Sequence, residues 1–308
     1  MSLQLPGSLT PSKVSTFKEC ALAFRLSVID KLPEPPNAQA FKGTVVHRAL
    51  ELLMWEEPPG ARTPATGRAK LDRALEELLA SPEGLEVALA GAELDDFVTD
   101  ARQLVANYFV LEDPNTVKVI GTELQLQVDL TSAWGPTGEP PAASPAGRLR
   151  LRGIIDRLEL DEQGQLVVTD YKTGRAPGLS QEQNRLGGVH FYAFLCEQLL
   201  GRRPARVQLF HLREPMALFT TPSDQSIAGL QRQAWAVWAA VKRACLMDDF
   251  RPKPGPLCDW CGYHAYCPAM GGDLSLARPE VAGPVADGGA GEGALQLFPS
   301  TLSTVTSG

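Results

Sequence analysis

Apolar residues recur along this chain at two spacings, three to four positions apart in some stretches and two apart in others, and the alternation between them lays out the elements. Val14, Phe17, Leu22 and Phe24 lie near helical spacing behind Thr10-Pro11-Ser12, where Thr10 or Ser12 can cap and Pro11 suits the first turn. This predicts a short helix that delivers Cys20 near its end. Residues 31–37 carry three prolines and form a connector that cannot be helical throughout. Val46, Leu50 and Leu53 mark a buried stripe on a helix over 41–53, with His47 beside the stripe. After a loop at 58–66, helices are predicted over 67–79 and 94–111, the second with Phe97, Leu104, Val105, Tyr108 and Phe109 on its apolar side.

From residue 117 the period changes to two. Leu124, Leu126 and Val128 alternate with Glu123, Gln125, Gln127 and Asp129, a strand over 117–130. Residues 134–147, rich in Pro, Gly and Ala, are an insertion. Residues 149–160 and 165–172 then flank Asp161, Glu162 and Gly164, an antiparallel hairpin with turn residues at its tip. Behind a mobile loop at 173–178 come a helix over 181–200, strands over 205–212 and 217–220, and a helix over 226–247 with Trp235 and Trp238 in its core face. Strands mixed with helices in this order predict an α/β fold, a central mixed sheet flanked by helices.

The hairpin carries the candidate chemistry. On a strand Asp170 and Lys172 share a face and Tyr171 takes the other, and Asp156 on the partner strand reaches the side of Asp170. Two carboxylates can hold a divalent cation that polarises a phosphate oxygen and lowers the pKa of water, and a lysine beside them can orient that water or offset developing charge. An isolated Asp-x-Lys is more often a surface ion pair of little consequence. Likewise, a lone histidine beside a helix stripe is more often hydrogen-bonded than a ligand, and Glu123 taken alone is as well explained as an exposed strand carboxylate.

Gly153-Ile-Ile-Asp156 followed by Asp170-Tyr-Lys172-Thr-Gly174 resembles the motif core of the PD-(D/E)XK nuclease superfamily, in its RecB/AddB-type exonuclease branch, and the resemblance spans roughly residues 9–268. Its implications are specific. The fold would be restriction-endonuclease-like, and residues 1–270 would form one nuclease domain. Gly43-x-x-x-His47 resembles the first motif of that branch, so His47, Asp156, Asp170 and the Tyr171 backbone carbonyl would hold Mg²⁺ or Mn²⁺. Lys172 would activate water, and Glu123 would support the metal or its waters. The substrate would be single-stranded DNA or duplex ends, in recombination or repair. One position departs from the pattern: where the branch has a glutamine four residues before the tyrosine, this chain has Gly188 before Tyr192, leaving Gln183 to substitute or the site weakened. A catalytically weak DNA-end-binding scaffold subunit is the alternative. Tyr192 itself is expected to pack rather than to stack on a base.

Cys258, Cys261 and Cys267 bring three thiols around one point. The resemblance supplies Cys20 as the fourth ligand of a 4Fe–4S cluster, which would join the N- and C-terminal segments and close a very long loop. Zinc suits four thiolates equally well, with His264 as another donor. Cys196 and Cys245 lie among apolar residues and are read as buried thiols.

Composition adds limits. With 308 residues, 44% hydrophobic and 21% charged, the chain reads as a globular protein. It shows no membrane-spanning run and no basic-then-apolar leader, so a cytoplasmic location is expected. The net charge of −7 is unusual for a DNA-binding protein, and Asp273, Glu280, Asp287 and Glu292 against Arg278 account for only part of it. Arg148, Arg150, Arg152 and Arg157, and then Arg202, Arg203, Arg206 and Arg213, are either local phosphate-tracking patches or ordinary solvated strand residues. No Gly-x-x-x-x-Gly-Lys-(Ser/Thr) loop is present, so any helicase must come from a partner. Residues 271–308 are expected to be a flexible tail, with Gln296-Leu-Phe298 as a weak match to a docking peptide.

Overall fold

The computed structural model describes residues 3–130, 148–175 and 179–277, with the side chains of 179–189 also left aside. The predicted insertion, the loop beyond Arg175, the Gly188 and Gln183 side chains and the tail with its docking segment therefore lie outside the described residues. Contacts divide the chain into two compact units that interleave in sequence. One is built from 1–35, 127–153 and 224–277; the other from 36–126 and 154–223.

In the first unit, α1 (Pro11–Glu19) is capped by the Thr10 hydroxyl. The single helix predicted through Phe24 breaks at Cys20, whose extended backbone ends α1 and opens α2 (Ala21–Phe24), followed by a π-helical turn Arg25–Ile29. The unit also contains α8 (Asp224–Met247), which buries Leu230, Val237, Trp238 and Val241, and the short 3₁₀ turns around the three C-terminal cysteines.

The second unit begins with α3 (Ala38–Glu56), which starts three residues earlier than the apolar stripe suggests because Asn37 caps it, accepting from the Gln39 and Ala40 amides. Next come α4 (Pro64–Leu79), with a Thr63–Thr66 capping box, the unpredicted six-residue α5 (Pro82–Val87), and α6 (Gly91–Leu111). Five strands follow, β1 (Lys118–Leu130), β2 (Leu149–Leu160), β3 (Leu166–Lys172), β4 (Arg206–His211) and β5 (Met216–Thr220), in the spatial order β1-β2-β3-β4-β5. The β2–β3 pair is the predicted antiparallel hairpin, in register from Arg157–Thr169 to Leu160–Leu166. β3 and β4 are parallel, joined by α7 (Leu179–Leu200), because strands running the same way need a long crossover. β4 and β5 are antiparallel. The sheet is therefore mixed and helix-flanked, as predicted.

On one face of β3, Tyr171 and its β4 neighbour Phe210 pack against Val45, Val46 and Leu50 of α3 and Leu104, Val105 and Tyr108 of α6. Arg157 belongs to this buried face and is fully enclosed. It cannot track phosphates, because its strand parity is that of Leu149, Leu151 and Ile155, all buried. Its guanidinium donates to Glu112 Oε2 at 3.0 Å, the Tyr171 hydroxyl at 2.9 Å, Thr169 Oγ1 at 3.1 Å and the Tyr108 hydroxyl at 3.2 Å, and it is paired with Glu159. Other arginines of the two predicted patches are also engaged: Arg148 and Arg150 with Asp129, Arg203 with Glu197 and Arg213 with Asp100.

Candidate metal centre

Beyond the Arg157–Thr169 pair, Asp156 meets β3 with its side chain. Its Oδ2 accepts the Tyr171 N–H at 2.6 Å. Helix α3 brings His47 to the same place, with Nδ1 3.5 Å from Asp156 Oδ2 and Nε2 3.1 Å from the Tyr171 carbonyl. Gly43, one turn before His47, faces Thr173: a Cβ there would stand 3.1 Å from Thr173 Oγ1, tighter than side chains normally pack. Glu123 completes the group, since one ligand atom from each of His47, Glu123 and Asp156 lies within 4.8 Å of the others.

Glu123 reaches this point through a distorted strand. Val119 and Gly121 are buried at odd positions, but Leu124, Leu126 and Leu130 are buried at even ones. The phase changes at Glu123, which adopts φ +47, the left-handed region that a side chain rarely enters. Alternation read back from Leu124 and Leu126 would send Glu123 outward with Gln125 and Gln127, whereas read on from Val119 and Gly121 it sends it inward; the bulge-like switch accommodates both.

The electrostatics record a surplus of negative charge. Burial, then the charge of Asp156 and that of Glu51, pushes the Glu123 carboxyl up to about 7, against an opposing pull from His47. Burial acts to raise Asp156 as well, but its bond to His47, the Tyr171 amide and the charge of Lys172 hold it below the ordinary carboxylate range. For His47, burial pulls downward and is overcome by Asp156, Asp170 and Glu123, so the imidazole lies above its ordinary value.

Asp170 is buried on the face opposite Tyr171. Its carboxylate is paired with Lys172, and its charge adds to burial in raising the pKa of the Tyr192 phenol. Burial raises the Asp170 pKa while Lys172 opposes it. Tyr192, expected to pack, is largely buried within electrostatic reach of Asp170 and Asp156. Glu51, one turn after His47, was not singled out by the sequence: with Gly43, Thr44, Arg48, Leu78, His47 and Glu123 it lines a cavity of about 460 Å³. Among the described residues, the group of three potential ligands is His47, Glu123 and Asp156. Asp170 stands beside it, and the Tyr171 carbonyl is turned to His47.

In the other unit the four cysteines gather. Cys20, Cys258 and Cys267 all act electrostatically on Cys261, whose thiol is pushed up first by burial. Cys20, Cys261 and Cys267 pack against Leu22, Leu26, Leu32 and Tyr263. The Gly255 amide points at Cys258 Sγ at 3.3 Å, and the Tyr263 amide at Cys261. His264 is committed to the Cys258 carbonyl.

A model of the PD-(D/E)XK nuclease superfamily matches residues 8–268. Among solved structures, a candidate exonuclease from Eubacterium rectale is similar at 11% identity and TM-score 0.49, covering 82% of this chain and 86% of that one. The protein SSO0001 is similar at 14% identity and TM-score 0.33, covering 67% of this chain and 81% of its own. No curated protein matches.

Proposed function

Because the chain belongs to the PD-(D/E)XK nuclease superfamily, we propose that it is a divalent-metal-dependent DNA exonuclease of the RecB/AddB type, acting on single strands or duplex ends in recombination or repair. The observation that carries this reading is the convergence of His47, Glu123 and Asp156 beside the Asp170–Lys172 pair, with Glu123 pushed up to about 7 by burial and then by its acidic neighbours. A buried surplus of carboxylates is a cost in the folded protein unless a cation enters. The mixed oxygen and imidazole donors suit Mn²⁺ or Mg²⁺.

His47, Glu123 and Asp156 would hold the ion, with Asp170 as a neighbouring carboxylate. When bound, the ion supplies Lewis acidity toward a phosphate oxygen and lowers the pKa of water. The chain supplies the rest. The Tyr171 amide and His47 fix the Asp156 carboxylate, so it meets a ligand without rearranging. Lys172, held by Asp170, places an ammonium where it can orient the attacking water or offset charge growing on the phosphate. No helix among the described residues is long and apolar enough to cross a membrane. A helicase activity would be contributed by a partner.

We also infer that Cys20, Cys258, Cys261 and Cys267 hold a 4Fe–4S cluster. Four half-buried thiols in an apolar setting with amides directed at two sulfurs are suited to thiolate ligation. Its role is structural, tying the first helices to the C-terminal turns. An anaerobic preparation should show a broad visible absorption that dithionite bleaches; zinc in the same thiols would give none.

The deciding experiment is cleavage of end-labelled single-stranded and duplex DNA with Mg²⁺, Mn²⁺ or EDTA, beside Asp170→Ala and Lys172→Ala. Metal-dependent degradation that falls on the order of a hundredfold or more in Lys172→Ala, with DNA affinity retained, is expected. Metal-replete, folded wild-type protein that binds DNA without cutting it would establish the scaffold alternative instead.

A further inference from the structure

Helix α3 brings more than His47 to the cavity beside the metal centre. Residues four apart on a helix stand one above another, so Gly43, His47 and Glu51 form one row and Ala40, Thr44 and Arg48 the next, and both rows line the cavity. His47 and Glu123 also belong to the group of potential ligands, so whatever fills the cavity stands against the metal centre. The N-terminal part of each row is small, with Ala40, Gly43 and Thr44 leaving room close to the helix backbone. The volume, about 460 Å³, lies in the range of pockets that receive one small molecule or one unit of a polymer.

The permanent cation of this wall is Arg48. Its Nη1 donates to Glu51 Oε2 at 2.8 Å, while Nε and Nη2 share Glu77 Oε2 at 3.2 Å each. These holds differ from those on the enclosed Arg157. The Arg48 side chain is 30% exposed and that of Glu77 46%, so water competes for both and each pair is weak. A phosphate presents two oxygens to one edge of a guanidinium and is the better-matched partner.

We propose that the cavity receives the nucleotide adjoining the cleaved bond, and that Arg48 takes the next phosphate along the strand in exchange for Glu51. This rests on the nuclease reading for its ligand. A small free anion would meet Glu51 and Glu123 as well as Arg48, and gains little there. A nucleotide within a strand separates its charges: one phosphate goes to the metal centre, the next to Arg48, and the uncharged sugar between them fills the space beside Ala40, Gly43 and Thr44. Glu51, once released, shares the cavity with Glu123, and their joint charge is offset only in the metal-loaded protein. The Arg48 contact therefore belongs to that form.

The test is binding of single-stranded oligonucleotides in Ca²⁺, an ion that carboxylates hold, across a salt series, with the full-length wild type, Arg48→Gln, Arg48→Lys and Glu77→Gln. Arg48→Gln should bind about tenfold more weakly, with its log K against log salt slope shallower by roughly one. Arg48→Lys should keep the slope. Glu77→Gln breaks the same tie between α3 and α4 without removing the cation, and should keep both affinity and slope. Oligonucleotides with one uncharged methylphosphonate at the linkage next to the terminal one, at either end, locate the contact. At one end this change should cost the wild type about tenfold and Arg48→Gln nothing, the mark of a direct pair. A wild-type slope in Arg48→Gln, or equal losses for both proteins on both modified strands, would overturn the assignment. A fall in Glu77→Gln as large as that in Arg48→Gln would reduce Arg48 to a tie between helices and overturn it too. If the wild type binds with the expected effects but cuts nothing in Mg²⁺ or Mn²⁺, the cavity assignment stands and the nuclease reading falls; if it binds no nucleic acid, both fall.

Discussion

Asp156 and Arg157 are consecutive on β2, project to opposite faces and both withdraw charge from water, yet their surroundings are contrary. Around Arg157 the account closes: Glu112 and Glu159 oppose its charge, while Tyr108, Thr169 and Tyr171 accept its remaining protons. Around Asp156 it stays open, for Glu123 and Asp170 are acids, and only His47, the Tyr171 amide and the more distant Lys172 act in the other direction. A satisfied buried network holds a structure in one arrangement. An unsatisfied one of single sign calls for a counter-ion. Tyr171 joins the two, its phenol on Arg157 and its backbone on Asp156 and His47, so the closed network fixes the platform on which the open one stands.

The contrast can be broken on its closed side first. Arg157→Met leaves Glu112 and Glu159 without their cation, and removal of one partner from a buried ion pair typically costs about 3–5 kcal/mol. Urea denaturation should show a midpoint lowered to match, with or without Mg²⁺; an unchanged midpoint would mean that the network contributes nothing.

The open side should respond to pH and metal. Burial, then its acidic neighbours, pushes the Glu123 carboxyl up to about 7 from an ordinary 4.5. Its folded pKa is raised, so the folded state binds more protons over that interval and this group's contribution to stability falls as pH rises through it. A cation reverses the sign by favouring the ionised form. Mn²⁺ affinity measured by calorimetry should therefore climb by up to about tenfold per pH unit below about 7 and level off above it. Glu123→Gln should bind the ion more weakly and lose most of this dependence. The smallest effect is expected at Tyr192→Phe, which removes a hydroxyl near Asp170 and leaves His47, Glu123 and Asp156 in place. Cleavage at saturating DNA should fall only several-fold; a loss as large as that of Lys172→Ala would give the phenol a more direct part.

Much of this arrangement was legible because it follows local rules. The hairpin ends, Leu149–Leu160 and Leu166–Lys172, fall where alternation and the Asp161–Gly164 turn put them. What escaped was tertiary. Arg157 looked like a surface cation beside Arg150 and Arg152, although its parity with Leu151 and Ile155 already pointed inward. Helix α5 is too short to show a period. The break at Cys20 has no local signature, since the residues on either side continue a helical pattern. The meeting of His47 with Asp156, more than a hundred positions apart, came from family resemblance and not from spacing. Glu123 is the subtlest case, for its strand pattern argued that it faces away from the group it joins.

That twist at Glu123 bears on how the protein can change. Its backbone rests in a conformation natural to glycine, so the residue that would relax the strand best is one that carries no carboxylate. On the proposed role of Glu123, selection for thermal robustness alone would be expected to straighten β1 and discard the acid, trading activity for stability. Descendants that keep a glutamate there in the left-handed conformation would bear the mark of continued selection for chemistry, whereas glycine at this position would mark a lineage in which the fold has outlived its use as an enzyme.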